Sequence, residues 1–162
     1  MFPLGHLGFG LQTAKPLRRG LPLKPLLLGT LLPDLLDKPL FYVFSLTAGT
    51  RGFGHTMVFA GVLAAAGFKR RSKTLLALAL GVATHLLFDL VGDFAEGGTG
   101  RRSFQTLLWP LLGWRFPFYT NFGLHDHLHH FWSPFILSTE IIGAGLLAWE
   151  AWRVRRPSSP RR

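Results

Sequence analysis

Apolar residues run along this chain in long stretches, and polar residues fall in short clusters between them. Four stretches are long enough to form membrane helices, at residues 25–46, 53–68, 74–91 and 131–152, since about 20 apolar residues span a bilayer. The first contains Pro33 and Pro39 beside charged residues, so it predicts two short helices that meet at a kink. The pattern therefore predicts an all-α integral membrane bundle of about four membrane-embedded helices, with a broken first helix.

Residues 92–130, between the third and fourth stretches, differ from them in composition. They begin with a glycine-rich run and continue with several Trp and Phe residues. We interpret them as a loop followed by an aromatic segment that lies at the membrane interface. We expect residues 1–152 to form a single membrane-embedded helical domain and residues 153–162 to form a basic cytoplasmic tail.

The charge distribution favours a membrane over a nucleic acid as the anionic partner. The chain has 162 residues, of which 48% are hydrophobic, and a net charge of +10. Its basic residues punctuate the apolar stretches, as at 69–73 and 153–162, which is how membrane proteins set their topology. A nucleic-acid binder would interleave cations with exposed aromatic residues on one face. We therefore expect membrane lipids as partners and no direct contact with nucleic acid.

The same charges predict an orientation. If 69–73 and the C-terminal tail are cytoplasmic, then His55, the pair His85 and Asp89, and the run HDHLHH at 125–130 all lie toward the outer face. Cysteine is absent, so any metal must be held by nitrogen and oxygen atoms.

The motif GVATHLLFDL places His85 and Asp89 one helical turn apart, so both side chains lie on one face of the helix. A charged group at the centre of a membrane helix costs about 2.5–3.5 kcal/mol on insertion scales and persists mainly where it faces a polar interior. The pair alone leaves two interpretations open, a cation site or a pair that satisfies itself at a helix end.

Several further His and Asp residues lie within apolar sequence. Imidazole and carboxylate groups are the ligands that zinc, manganese and iron use when thiols are absent. Each residue alone is more often structural, but together they favour a metal site. The set is His6, Asp34, Asp37, His55, His85 and Asp89.

These elements resemble a known family. The order GHLGFG, LLLGTLLPDLLDKPL, RGFGHTMVF, ATHLLFDL and LLWP is similar to the membrane-bound metal-dependent hydrolases, also described as LexA-binding inner-membrane-associated hydrolases (the YdjM-like family). The similarity covers about the first two thirds of the chain. The positions that match the family pattern are His6, Asp34, Asp37, His55, His85 and Asp89, with Arg51 and Pro110 as accessory matches.

The resemblance implies a multi-pass hydrolase of the inner (cytoplasmic) membrane that acts through a metal-activated water. The expected location of the site in the membrane favours a phospholipid-like or lipid-linked ester or phosphoester as its substrate. The resemblance also implies a divalent metal, with zinc expected, held by His6, Asp34, His55, His85 and Asp89. Asp34 would be a ligand or a bridge. Asp37 would be a general base or an orienting group, and Arg51 an oxyanion or phosphate clamp.

The chain departs from the family pattern at Thr50, where relatives have a histidine, and at Thr56, where they have a serine. The run at 125–130 has no counterpart in the pattern; it is either a source of a replacement ligand or a pH-sensitive or headgroup-binding interfacial loop. Glu140, a lone carboxylate in the fourth stretch, is interpreted first as a polar packing contact and second as support for the site.

Two other function classes stay open. A non-enzymatic membrane protein could use the same cluster to bind or transport a metal ion, and an adaptor could recruit a soluble DNA-binding partner through basic loops. A transporter should place its ionisable residues along a path that reaches both faces, whereas these collect at one. That difference favours the enzyme, and no particular protein partner is predicted.

Overall fold

The fold of the described residues is helical. The computed structural model describes residues 3–47, 49–117, 125, 128, 129 and 131–155, and this part contains no strand. Its helices are α1 (Pro3–Ala14), α2 (Leu23–Gly29), α3 (Leu32–Tyr42), α4 (Met57–Lys69), α5 (Lys73–Ala95), α6 (Arg101–Leu107) and α7 (Pro134–Arg155), with a 3-10 turn at Phe53–His55. The predicted all-α class is confirmed.

Within the part of the chain that the structure describes, two helices are long and apolar enough to cross a membrane, α5 with 23 residues and α7 with 22. Each is about 33–35 Å long at 1.5 Å per residue, which exceeds a hydrocarbon core of about 30 Å. Helix α4 is apolar but has 13 residues. The first stretch is broken, as predicted, into α2 and α3. The break falls at Thr30 and Leu31, and Pro33 lies in the first turn of α3, where a missing N–H is tolerated.

The described part is polar inside and apolar outside. Its buried residues comprise twelve polar or charged side chains and eight apolar ones, while Leu111, Trp114 and Val154 are each at least 75% exposed. A soluble protein of this size shows the reverse, because large exposed apolar patches are rare in water. This distribution fits a chain whose surface meets hydrocarbon.

Helix α5 is the centre of the bundle, and α1, α2 and α4 pack against it. Glycines let these helices approach closely. A Cβ atom on Gly81 would collide with the Leu26 carbonyl of α2, and one on Gly29 would collide with the Leu78 carbonyl of α5. This crossing brings the end of α2, with Thr30, against the middle of α5.

Helix α1 was not predicted, and the carboxylate of Glu140 fixes its start. The backbone N–H groups of Leu4 and Gly5 donate to Glu140 at 3.0 and 2.8 Å. A carboxylate at a helix N-terminus satisfies orphan donors and complements the helix dipole. Glu140 therefore makes the polar packing contact that was our first interpretation, and it does so between α7 and α1.

The segment after α5 is partly helical. Residues 101–107, which we expected to continue the loop and aromatic segment, form α6, and Pro110 lies just beyond its end. Part of the aromatic run, at 118–124, and the tail at 156–162 lie outside the described residues.

Candidate metal centre

Four elements of the bundle bring the predicted His and Asp residues together. His6 comes from α1, Asp34 and Asp37 from α3, His55 from the 3-10 turn, and His85 and Asp89 from α5. Two overlapping groups have ligand atoms that all lie within 4.8 Å of one another, His6 with His85 and Asp89, and Asp34 with His55 and His85. Buried His and Asp groups are thus placed where they can hold a metal ion.

Four ligand atoms converge most tightly. The Nε2 atoms of His55 and His85 lie 3.2 Å apart. His55 Nε2 lies 3.5 Å from both Asp34 Oδ1 and Asp89 Oδ2, and His85 Nε2 lies 4.0 and 3.7 Å from the same two oxygens. A tetrahedral ion with bonds of about 2.0–2.1 Å holds its ligands about 3.3–3.4 Å apart. Three of the five separations, 3.2, 3.5 and 3.5 Å, are close to that spacing, and the two from His85 Nε2 to the carboxylates, 3.7 and 4.0 Å, are longer.

The backbone fixes the tautomer of His85. Its Nδ1 lies 2.8 Å from the carbonyl oxygen of Thr30. Because a carbonyl can only accept a hydrogen bond, Nδ1 carries the proton and donates it. In the neutral imidazole, Nε2 then has a lone pair that faces the other ligand atoms. A metal-binding histidine is commonly held in this way by a partner on its other nitrogen.

The carboxylate of Asp37 fixes the tautomer of His55. Its Oδ2 accepts from His55 Nδ1 at 2.7 Å, and its two oxygens also accept the backbone N–H groups of Gly52, Gly54 and His55 at 2.8–3.2 Å. A Cβ atom on Gly52 or Gly54 would come within 3.3 or 3.1 Å of this carboxylate, so glycines let the loop wrap closely. Asp37 is 1% exposed, and it orients the imidazole of His55.

The converging atoms are therefore all acceptors. The two imidazole Nε2 atoms, each with a lone pair, lie 3.2 Å apart, and each lies 3.5–4.0 Å from one oxygen of Asp34 and one of Asp89. Buried acceptors that face one another need a cation or a proton between them, since a buried polar atom without a partner is unfavourable. The chemistry of the donor set fits a divalent metal ion.

Arg51 lies beside this cluster. Its Nε is 3.1 Å from Asp89 Oδ2, and its Nη1 donates to Ser103 Oγ at 2.7 Å. The guanidinium thus balances one carboxylate and ties the site to α6. Lys38 acts in a similar way on α3, with Nζ 2.7 Å from Asp34 Oδ2.

His6 stacks on His85 with ring centroids 3.9 Å apart and lies at the other oxygen of Asp89, with Nε2 3.4 Å from Oδ1. It is 1% exposed, and neither ring nitrogen has a hydrogen-bond partner among the described residues. Buried polar atoms are seldom left in this state unless an ion or a water completes them. His6 is thus well placed as an additional ligand.

A small cavity of about 10 Å³ borders the cluster, lined by Arg51, His55, Asp89, Ser103 and Thr106 among others. This volume is close to the minimum that a single water molecule needs. The site therefore has room for about one small molecule next to the ligand atoms of His55 and Asp89.

The described part of the His-rich run lies outside the cluster, and Thr56 has a structural role. Within the part of this run that the structure describes, His125 and His129 have ring centroids 6.0 Å apart, and neither belongs to the two groups of ligand atoms. Asp126, His127 and His130 lie outside the described residues. Thr56 accepts from the Phe59 N–H at 3.0 Å and caps α4.

Comparisons of this chain with family models, with curated proteins and with solved structures found no match. The resemblance to the YdjM-like hydrolases therefore stays a prediction. The geometry of the His and Asp cluster, in a chain with two helices fit to cross a membrane, is the basis for assigning a function.

Proposed function

We propose that this protein is a membrane-embedded, metal-dependent hydrolase that acts on a phospholipid-like or lipid-linked ester or phosphoester. The observation that carries the proposal is the convergence of buried His and Asp ligand atoms. The Nε2 atoms of His55 and His85 lie 3.2 Å apart, and each lies 3.5–4.0 Å from one oxygen of Asp34 and one of Asp89. His6 joins them at the second oxygen of Asp89.

Zinc is the ion that this donor set favours. Zinc prefers tetrahedral sites of nitrogen and oxygen when thiolates are absent, and catalytic zinc sites keep a position for water or substrate. A divalent ion of this type activates water and polarises a carbonyl or phosphoryl oxygen. The small cavity beside His55 and Asp89 supplies the space for that water.

The surrounding residues prepare the site for this chemistry. Asp37 and the Thr30 carbonyl hold the two imidazoles with Nε2 toward the cluster, which makes them better ligands. Both oxygens of Asp37 accept hydrogen bonds, from the His55 imidazole and from the backbone of residues 52–55, so we assign Asp37 an orienting role. Arg51 positions Asp89 and lies where it can also stabilise negative charge that develops on the substrate.

The position of the site, at one end of an apolar helical hairpin, favours a lipid as the substrate. His55 precedes α4, and His85 and Asp89 lie in the second half of α5, at the end of this helical hairpin opposite to the basic residues 69–73. We propose a multi-pass inner-membrane protein of about four membrane-embedded segments, in which α2 with α3 and α4 accompany the two long helices. The basic end is cytoplasmic.

Elemental analysis and lipid hydrolysis together test this function. Detergent-purified wild-type protein should contain at least about one equivalent of a divalent metal per chain. His85→Ala and Asp89→Ala should lose this metal. His129→Ala is the control, because His129 is exposed and lies outside the cluster. Equal metal content in wild type and both site variants would reject the metal centre.

Turnover is measured on the same samples with phospholipids and lipid-linked phosphates. We expect hydrolysis in wild type and in His129→Ala and none in the two site variants. Metal without turnover on any of these substrates would reject the hydrolase and favour a metal-binding or transport protein.

A further inference from the structure

An apolar groove runs along the junction of α4 and α5. It encloses about 730 Å³ and is lined by apolar side chains apart from Arg19. Cavities of about 300–1,000 Å³ with mainly apolar walls are typical of ligand sites. The groove exists because Ala60, Gly61, Ala64 and Ala83 are small where the two helices face it.

The groove leads to the candidate metal centre. Leu86, Leu90 and Leu107 line both the groove and the small cavity beside His55 and Asp89. The groove and the small cavity are therefore neighbours that share three leucine walls, and one end of a molecule in the groove lies close to the ligand atoms. This closeness to the candidate metal centre distinguishes the groove from an ordinary apolar depression on a membrane helix.

We propose that this groove binds the hydrocarbon chain of the substrate, with the ester or phosphoester next to the metal centre. The proposal rests on the function proposed above and adds to it the place of the chain and the residues that select its length. The occupant is an acyl or prenyl chain, because the walls are hydrocarbon and the surrounding surface is apolar.

The dimensions and rim of the groove suit such a chain. From Met57 to Phe68 the lining follows α4 for about 16 Å at 1.5 Å per residue. Met57, Phe68 and Leu87 are 56%, 72% and 46% exposed, so the groove opens to the outer surface of the bundle. A chain can therefore enter sideways from the surrounding hydrocarbon without crossing water.

Arg19 marks the end of the groove that is remote from the metal centre. Its neighbour Leu21 packs on the cluster that contains Ala77, in the first half of α5, whereas the metal ligands of α5 lie in the second half. A guanidinium is a poor neighbour for a methyl terminus. The groove thus accommodates chains up to a limiting length.

Gly61 provides the variant that tests the groove. A Cβ atom at Gly61 meets no heavy atom within 4 Å, so there is space to attach a side chain here, and Gly61→Leu narrows the groove. Leucine also favours a helix over glycine. Gly145→Leu is the matched control. Gly145 also has open space and lies in α7, and it does not line the groove.

The first measurement requires neither metal nor turnover. A phosphatidylglycerol with a diazirine at the end of one acyl chain is photolysed with each protein in phosphatidylcholine nanodiscs, and the labelled residues are mapped by mass spectrometry. We expect wild type, His85→Ala and Gly145→Leu to be labelled on the groove lining of α4 and α5. We expect labelling there to fall about tenfold in Gly61→Leu, as for an extra group in an apolar pocket.

Labelling spread evenly over the exposed faces of α5 and α7, or unchanged in Gly61→Leu, would overturn the proposal even if the protein hydrolyses lipids. Groove labelling that Gly61→Leu abolishes would support the chain site even if no ester is turned over. With turnover, Gly61→Leu should raise KM more for long-chain esters than for short-chain esters. An unaltered chain-length profile would contradict the groove.

Discussion

Replacing Asp37 with asparagine tests whether the carboxylate behind His55 prepares the imidazole for metal binding. In the structure both oxygens of Asp37 accept hydrogen bonds, from His55 Nδ1 and from the N–H groups of Gly52, Gly54 and His55. Asn has nearly the same shape but one acceptor and one NH₂ group. The new NH₂ group would therefore face N–H donors of His55 or of the loop, and a hydrogen bond would be lost there.

Two losses follow from Asp37→Asn. Removing a partner that orients a metal ligand typically lowers metal affinity 10–100-fold, which is about 1.4–2.7 kcal/mol. Hydrogen bonds to charged groups contribute about 1.5–3 kcal/mol each, and an unsatisfied buried donor has a further cost. We expect the free energy of unfolding to fall by about 2–4 kcal/mol.

The zinc affinity of detergent-purified Asp37→Asn is measured by competition with a chromophoric chelator, beside a thermal unfolding scan. Glu150→Gln is the control. Glu150 lies on α7, accepts from Lys15 Nζ at 2.6 Å and takes no part in the cluster. A folded Asp37→Asn protein that binds zinc as tightly as wild type would refute the orienting role.

Three further outcomes are expected. Stripping the metal with EDTA should lower the unfolding temperature, since an ion at 1,000 times its Kd stabilises by about 4 kcal/mol; identical scans with EDTA and with added zinc would contradict this. Gly81→Ala places a methyl group against the Leu26 carbonyl and should cost about 1–3 kcal/mol, whereas Gly61→Ala should be neutral; equal calorimetric stability of the two would disprove the close crossing. Glu140→Gln weakens two bonds to α1, so amide exchange in residues 3–14 should speed up while α5 stays protected; unchanged protection of α1 would rule out the cap.

Long apolar stretches predict helices well when packing leaves the backbone regular. The third and fourth stretches became α5 and α7, because an uninterrupted apolar run has few alternatives to a helix. Helix α1 was missed, since three of its residues, Gly5, Gly8 and Gly10, are buried glycines that lower helix propensity. They serve packing, and only the neighbouring helices reveal this.

The helix in the second apolar stretch begins later than the pattern predicts, again because of contacts with distant residues. The pattern places a helix from Phe53, whereas α4 begins at Met57. Residues 52–55 instead wrap around Asp37, which takes three of their N–H groups. Long-range hydrogen bonds of this kind outweigh local helix preference, and a single sequence does not reveal them.

The candidate ligand residues were recognisable from the sequence, but the groups that orient them were not. His and Asp within apolar stretches are unusual enough to identify His55, His85 and Asp89. The Thr30 carbonyl that orients His85 is a backbone atom, so no residue type signals it. Ser103, which holds Arg51, lies in a segment interpreted as a loop. Lys38 was detectable, because it follows Asp34 at helical spacing.

The contact of Glu140 with α1 has a consequence for the order of assembly. Every proposed metal ligand is encoded before residue 90, so a nascent chain that has completed α5 already contains the whole donor set. The first N–H groups of α1, however, find their acceptor on α7. We therefore expect α1, and with it His6, to reach its final position only after α7 has been synthesised.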